Sequence, residues 1–251
     1  MFDFLRTKFT LAESGVLSGS VDAHSHILFG VDDGSKHRTD SLEMLAYEES
    51  LGVTDVWCTP HVMEDVPNTT EKLKERFSQL QELYQGSIRL HLAAEYMIDN
   101  LFMERLRARD LLLHGADRVL VETSLNNPPY NLDATISLIQ MAGLTPILAH
   151  PERYRYLGKD DYKSIVSRGV LLQMNLASLT GYYGKTAKGK SEWLLENGMY
   201  AMFGSDCHRV KAIIDQDTRK VLTSKTLKKL TALAESSRKF NQSVSYTHLT
   251  L

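Results

Sequence analysis

Short apolar runs alternate with amphipathic stretches along most of the 251-residue chain. Runs at 20–27, 53–59 (VTDVWCT), 88–95 (IRLHLAAE), 118–123 (RVLVET), 145–150 (TPILAH), 170–175 (VLLQMN) and 199–205 (MYAMFGS) predict seven strands. Between them, 40–51, 70–85, 131–142, 160–168 and 190–197 predict helices. Asp40 with Glu43, and Asn68 with Glu71, have the spacing of capping boxes. Such alternation predicts an α/β fold on a parallel sheet, open or closed into a barrel. No repeat, proline-rich linker or low-complexity block interrupts it, so one domain is expected over 1–241, with 1–19 as an N-terminal extension. The last ten residues, QSVSYTHLTL (242–251), show neither period and are expected to be a disordered or artefactual tail; His248 is set aside with them.

Composition narrows the function classes. Hydrophobic residues make up 43% and charged residues 24%, enough apolar material for a sizeable core. A net charge of −2 argues against a general nucleic-acid binder. No apolar run approaches the roughly 18 residues of a membrane span. The start, MFDFLRTKFTLAESG, lacks the apolar stretch and cleavage site of a signal peptide. Cys58 and Cys207 cannot build a disulfide framework, and a cytoplasmic location is expected.

Chemistry enters at the strand ends. In VDAHSHILFGVDDGS (21–35), alternation places Asp22, His24 and His26 on one face, with Asp33 in the following turn. The second strand leads to His61 in CTPH, the third to Glu95, and the fourth to Glu122. The fifth leads to His150 in AHPERY, and the seventh to Asp206 and His208 in GSDCH. In parallel barrels the active site gathers at the C-terminal ends of the strands. Closure would therefore bring His24, His26, His61, Glu95, Glu122, His150, Asp206 and His208, with Asp33, to one pocket. Imidazole with carboxylate and no required thiolate suits manganese, iron or zinc. Nine ligands exceed what one ion needs, so two or three divalent ions are expected. Such clusters acidify a bound water and clamp the oxygens of a phosphoryl transfer.

DAHSH, TPH, Glu95, Glu122, HPERY and SDCH, in that order, resemble the polymerase and histidinol phosphatase (PHP) superfamily. VDDG, HPERY and NLASLTGYYGK are similar to its bacterial protein-tyrosine phosphatase branch, the CpsB/YwqE type associated with capsule and exopolysaccharide synthesis. The resemblance spans about residues 20–215. It implies a distorted TIM-like (β/α)7 barrel, the PHP fold, and a trinuclear centre, most often manganese, that hydrolyses phosphotyrosine. It also implies an autophosphorylating bacterial tyrosine kinase as protein partner. By motif, His24, His26, Asp33, His61, Glu95, Glu122, His150, Asp206 and His208 are the implied metal ligands. Arg153 of HPER is the implied phosphate ligand, a guanidinium offering paired donors; with Asp33 and His208 it forms the implied catalytic set. Relatives often carry a second phosphate-facing arginine after D-x-H; here HRVKAIID offers Arg209 or Lys211. Tyr154, Tyr182 and Tyr183 are expected to flank the rim.

Three signals are set against this reading. Gly184 to Ser191, GKTAKGKS, matches the Walker A pattern, but no strand feeds it, so a basic, glycine-rich loop leading into helix 190–197 is expected. Neither cysteine begins C-x5-R, which excludes the thiolate mechanism of cysteine-dependent tyrosine phosphatases. Nine Lys or Arg against three acids over 209–240 read as a solvated helical face. The alternative enzymes are a small-molecule phosphatase of the histidinol-phosphate type and a related amidohydrolase-like hydrolase. A binding protein stabilised by metals is the non-enzymatic alternative.

Overall fold

The computed structural model describes residues 8–245. Its strands are β1 (Val21–Ser25), β2 (Asp55–Cys58), β3 (His61–Val62), β4 (Arg89–Leu92), β5 (Glu95–Met97), β6 (Arg118–Glu122), β7 (Thr145–Ala149), β8 (Leu171–Asn175) and β9 (Tyr200–Gly204). Its helices are α1 (Leu11–Ser14), α2 (Arg38–Ser50), α3 (Thr70–Leu83), α4 (Asn100–Ala108), α5 (Leu132–Met141), α6 (Lys159–Ser167), α7 (Leu176–Thr180), α8 (Gly184–Glu196), α9 (Val210–Asp217) and α10 (Ser224–Ser245), with a 3-10 turn at Pro151–Arg153.

All pairings between these strands are parallel. One sheet has the order β1-β2-β4 and the other β3-β5-β6-β7-β8-β9. β3 continues the path of β2, and β5 that of β4: the Ala93 N–H donates to the Cys58 carbonyl and the Glu95 N–H to the Pro60 carbonyl. The seven expected strands are therefore present, the second and third each as two short pieces. At the other edge the Asp206 N–H donates to the His24 carbonyl (2.8 Å) and the His26 N–H to the Cys207 carbonyl (3.0 Å). These bonds join β1 to the chain leaving β9, and the fold is a distorted TIM-like (β/α)7 barrel.

Strand residues alternate between two cores. Val119 and Val121 of β6 pack outward with Leu148 and Phe203 against the helices. Leu120 lies on the opposite face with Ala23, Ile147, Ala149 and Met202 in a small inner cluster. Burial on both faces explains why these strands read as nearly continuous apolar runs.

Several local expectations are corrected. Asp40 is not the N-cap of α2; it sits in the first turn and its carboxylate accepts the His37 N–H (3.1 Å). Thr69, not Asn68, caps α3, accepting the Lys72 N–H. GKTAKGKS forms the first turns of α8 rather than a loop, because only Gly184 has a left-handed backbone and the lysines and alanine favour helix. α10 runs through Ser245, so residues 242–245 of the expected tail are helical. The remainder, with His248, lies outside the described residues. No helix among the described residues is long and apolar enough to cross a membrane.

Candidate metal centre

Glu95, at the start of β5, is fully buried and stands at the hub of the strand-end cluster. Its Oε2 lies 3.2 Å from His24 Nε2, 3.3 Å from His26 Nε2 and 3.1 Å from His61 Nδ1. Its Oε1 lies 3.0 Å from His150 Nε2. Asp206 Oδ1 approaches His26 Nε2 at 3.3 Å and His24 Nε2 at 3.6 Å. Glu122 Oε1 is 3.2 Å from His61 Nδ1. At the open side, Asp33 Oδ1 faces His208 Nε2 (3.3 Å) and His61 Nε2 (3.6 Å).

Three overlapping groups of ligand atoms lie within 4.8 Å of one another: His26, Asp33, His61 and His208; His24, His26 and Asp206; His61, Glu95 and Glu122. The structure thus brings eight of the nine expected ligands into these groups, and His150 adjoins them through Glu95.

The donor set fits divalent cations. Burial alone would raise the carboxyl of Glu95, yet the imidazoles of His24 and His61 hold it well below the usual range. Asp206 is likewise held low against burial, by His24, His26 and Arg153. Burial and neighbouring His26 disfavour charge on His61, and the Glu95 and Glu122 carboxylates outweigh both, pushing it up to about 10. The pocket thus demands positive charge. Glu95 Oε2 and His61 Nδ1 are buried and make no hydrogen bond although only 3.1 Å apart, as expected of two lone-pair donors aimed at a third body.

Local backbone chemistry places these groups. His150 (φ 34°) and Asp206 (φ 50°) occupy the left-handed region, which costs a non-glycine residue about 1–3 kcal/mol and concentrates at functional sites. Gly34, in the DDG turn, lies so close to His26 that a Cβ would stand 2.3 Å from its carbonyl oxygen. Gly204 is equally confined, with a Cβ position 2.5 Å from that of His24.

Residues that the strand-end pattern did not single out orient the ligands. Asp32 Oδ2 faces His26 Nδ1 at 2.8 Å and accepts the His61 N–H (3.0 Å). Gln173 Oε1 faces His24 Nδ1 at 3.0 Å. Asn175 Nδ2 donates to Asp206 Oδ2 (2.7 Å), and Asn68 Nδ2 donates to the Val31 and His61 carbonyls, pinning the ligand loop. Such partners set ligand orientation and basicity. The only sequence signal for Asp32 was its place in VDDG; for Gln173 and Asn175 it was β8, the one strand with no ligand at its end.

Two expected placements are corrected. Asp22 does not share the face of His24 and His26, because the β1–β2 register shifts between Asp22 and Ser25. Asp22 instead accepts the Ser205 N–H (2.8 Å) and hydroxyl (2.6 Å). Tyr154 is not a rim residue: it is fully buried, packed edge-on to His150, with its hydroxyl accepting the Thr123 N–H. Tyr182 is exposed, and Tyr183 lies under the Arg153 guanidinium at 4.2 Å. Arg153 Nη1 donates to Asp206 Oδ2 at 2.6 Å, which puts it beside the cluster. Arg209 and Lys211 are exposed where α9 begins. Burial pushes the Cys207 thiol well up, which removes the thiolate a cysteine nucleophile needs.

Known proteins are similar to this chain in sequence and fold. The family model for capsular polysaccharide synthesis, CpsB/CapC, matches residues 20–230. The tyrosine-protein phosphatase YwqE of Bacillus subtilis is 31% identical over 198 residues, covering 76% of this chain and 78% of that protein. The putative tyrosine-protein phosphatase CapC of Staphylococcus aureus is 28% identical over 197 residues, covering 76% and 77%. A crystal structure from the pair B. subtilis YwqE and Streptococcus pneumoniae CpsB, described as metal-dependent tyrosine phosphatases, superposes with a TM-score of 0.76 at 26% identity, covering 88% of this chain and 93% of that one. This chain belongs to the CpsB/CapC family.

Proposed function

We propose that this chain is a metal-dependent protein-tyrosine phosphatase acting on phosphotyrosine of an autophosphorylating bacterial tyrosine kinase of capsule or exopolysaccharide synthesis, in the cytoplasm. The observation that carries the reading is the meeting of three ligand groups with Arg153 at one mouth. The groups would hold two or three divalent ions, with manganese as first choice and iron or zinc as alternatives. The relatives' names support the substrate class.

Bound divalent ions supply an acidified water and neutralise charge on the phosphoryl group. The chain's own residues bind and orient the ester. Arg153 directs guanidinium N–H donors at the phosphate oxygens, and Tyr183 and Asp206 hold that guanidinium in place. Asp33 and His208, the most solvent-exposed pair of the cluster, stand where the phosphoester enters. A phenolate leaves readily, since tyrosine has a pKa of about 10, so little protonation of the leaving oxygen is required.

The test is kcat/KM of the manganese-loaded protein on phosphotyrosine peptides, phosphoserine peptides and histidinol phosphate, side by side. The reading expects phosphotyrosine to be preferred; a clear preference for histidinol phosphate would replace it with a small-molecule phosphatase.

A further inference from the structure

Two chain segments leave the Arg153–Tyr183 contact and line one cleft. One passes from Arg153 through Gly158 into α6; the other is α8. Between them lies a cleft of about 370 Å³, lined by Lys159, Tyr162, Lys185, Thr186, Lys190 and Trp193, with Gly158 and Gly189. The residues from α8 recur at i, i+4 and i+8, so Lys185, Gly189 and Trp193 form one face of that helix.

The cleft is cationic. Its lining holds three lysines and no carboxylate. Of the nearby acids, Asp161 accepts the Gly158 N–H (2.7 Å) and its charge also reaches Lys190, while Asp160 pairs with Lys163 (3.0 Å) and Glu192 faces Lys188 (3.9 Å). Lys159 Nζ stands 5.2 Å from the centre of the Trp193 ring. Lys190 donates to the Tyr154 carbonyl (2.6 Å), which ties the wall of the cleft to the residue following Arg153. At Gly189 a Cβ would meet nothing within 4 Å, so the absent side chain leaves the floor open.

We propose that this cleft docks an acidic segment of the phosphoprotein substrate, a few residues from the phosphotyrosine. The inference rests on the phosphatase reading above and adds a determinant of substrate choice to it. Charge complementarity selects the occupant: carboxylate side chains meet the lysine ammonium groups. Reach is consistent with this. Trp193 lies ten positions beyond Tyr183, about 15 Å at 1.5 Å per residue, which an extended peptide covers in about four or five residues. The lysines that imitate a nucleotide-binding motif in the sequence thereby acquire a different anionic partner.

The experiment compares two phosphotyrosine peptides, one with Asp and Glu four to five residues from the phosphotyrosine on either side, the other with Asn and Gln there. Both are assayed beside p-nitrophenyl phosphate on the manganese-loaded full chain. Wild type is expected to show a kcat/KM about tenfold higher on the acidic peptide, carried by KM and weakened by salt. The double variant Lys159→Ala/Lys185→Ala should abolish that preference while leaving p-nitrophenyl phosphate turnover unchanged. Gly189→Glu, which favours helix and introduces a negative charge, should do the same or invert it. Equal kcat/KM for the two wild-type peptides would overturn the inference alone, as would a preference that survives both variants. Absence of any phosphotyrosine hydrolysis by the loaded wild type would overturn the phosphatase reading and the inference with it.

Discussion

Arg153 Nη1 lies 2.6 Å from Asp206 Oδ2, so the phosphate-binding candidate is paired directly with a metal-ligand candidate. Asp206 presents its two oxygens to different tasks: Oδ1 faces the histidines, while Oδ2 takes donors from Arg153 and Asn175. Arg153 is thereby held beside the candidate ligands, with its guanidinium over the Tyr183 ring at 4.2 Å.

Arg153→Ala removes the clamp and leaves Asn175 to hold Asp206. Turnover of a phosphotyrosine peptide should fall by about tenfold to a hundredfold, with weaker inhibition by inorganic phosphate and unchanged metal content. Metal analysis paired with phosphate inhibition checks this. Loss of metal in the variant would show that Arg153 supports the cluster and not the ester.

Chelation should abolish activity, and manganese should restore it. His150→Ala should lower kcat by orders of magnitude with reduced metal content, because the Glu95 carboxylate loses a partner 3.0 Å away. Cys207→Ser should retain most of the activity, since that thiol is buried and held in its protonated form. Full turnover by protein shown to be metal-free would sink the mechanism, and an inactive, metal-replete Cys207→Ser protein would revive thiol chemistry.

Gly34→Ala tests the DDG turn by sterics alone. A methyl group there would meet the His26 carbonyl oxygen at 2.3 Å and its Cβ at 2.5 Å, so the turn must move and carry Asp32 and Asp33 with it. Loss of metal affinity by about tenfold or more is expected, measured by titration of manganese into the apo-protein. Wild-type affinity would show that the turn adapts freely.

A buried carboxyl group outside the metal centre should make stability depend on pH. Asp217 lines a small internal cavity with Ser20, Asp22 and Glu48. Burial, with a contribution from Asp22, raises its pKa from 3.8 to about 7 against the opposing influence of the nearby Tyr47 hydroxyl. The folded state therefore holds a proton that the unfolded state releases. This stabilisation is complete below about pH 4 and is lost as the pH rises through about 7. Asp217→Asn keeps a neutral group at every pH. Relative to wild type, it should gain on the order of 2–3 kcal/mol between pH 5 and pH 8. Denaturant unfolding at the two values measures this, and parallel profiles for the two proteins would refute the shift.

The chain's apolar periodicity determined the seven strands, because strands buried on both faces must be apolar along their whole length. The ligand positions were legible for a related reason. A polar residue that ends an apolar run at the C-terminal edge of a parallel strand has few roles apart from the site. What stayed hidden depended on register and on contacts between distant segments. The shift after Asp22 turns that residue away from His24, although simple alternation puts them on one face. Tyr154 follows Arg153 in sequence but is drawn inward by the Thr123 amide and the His150 ring. Asp32, Gln173 and Asn175 contact candidate ligands from positions that the sequence marked only by the VDDG turn and by a strand with no ligand at its end, since each acts across the barrel or around a turn. Sequence alone marked the candidate ligands, because residue type and period are local properties. Only the tertiary structure decided which of them face one another and which neighbours hold them, because the register shift and the closure between β1 and β9 are set by packing of the whole ring.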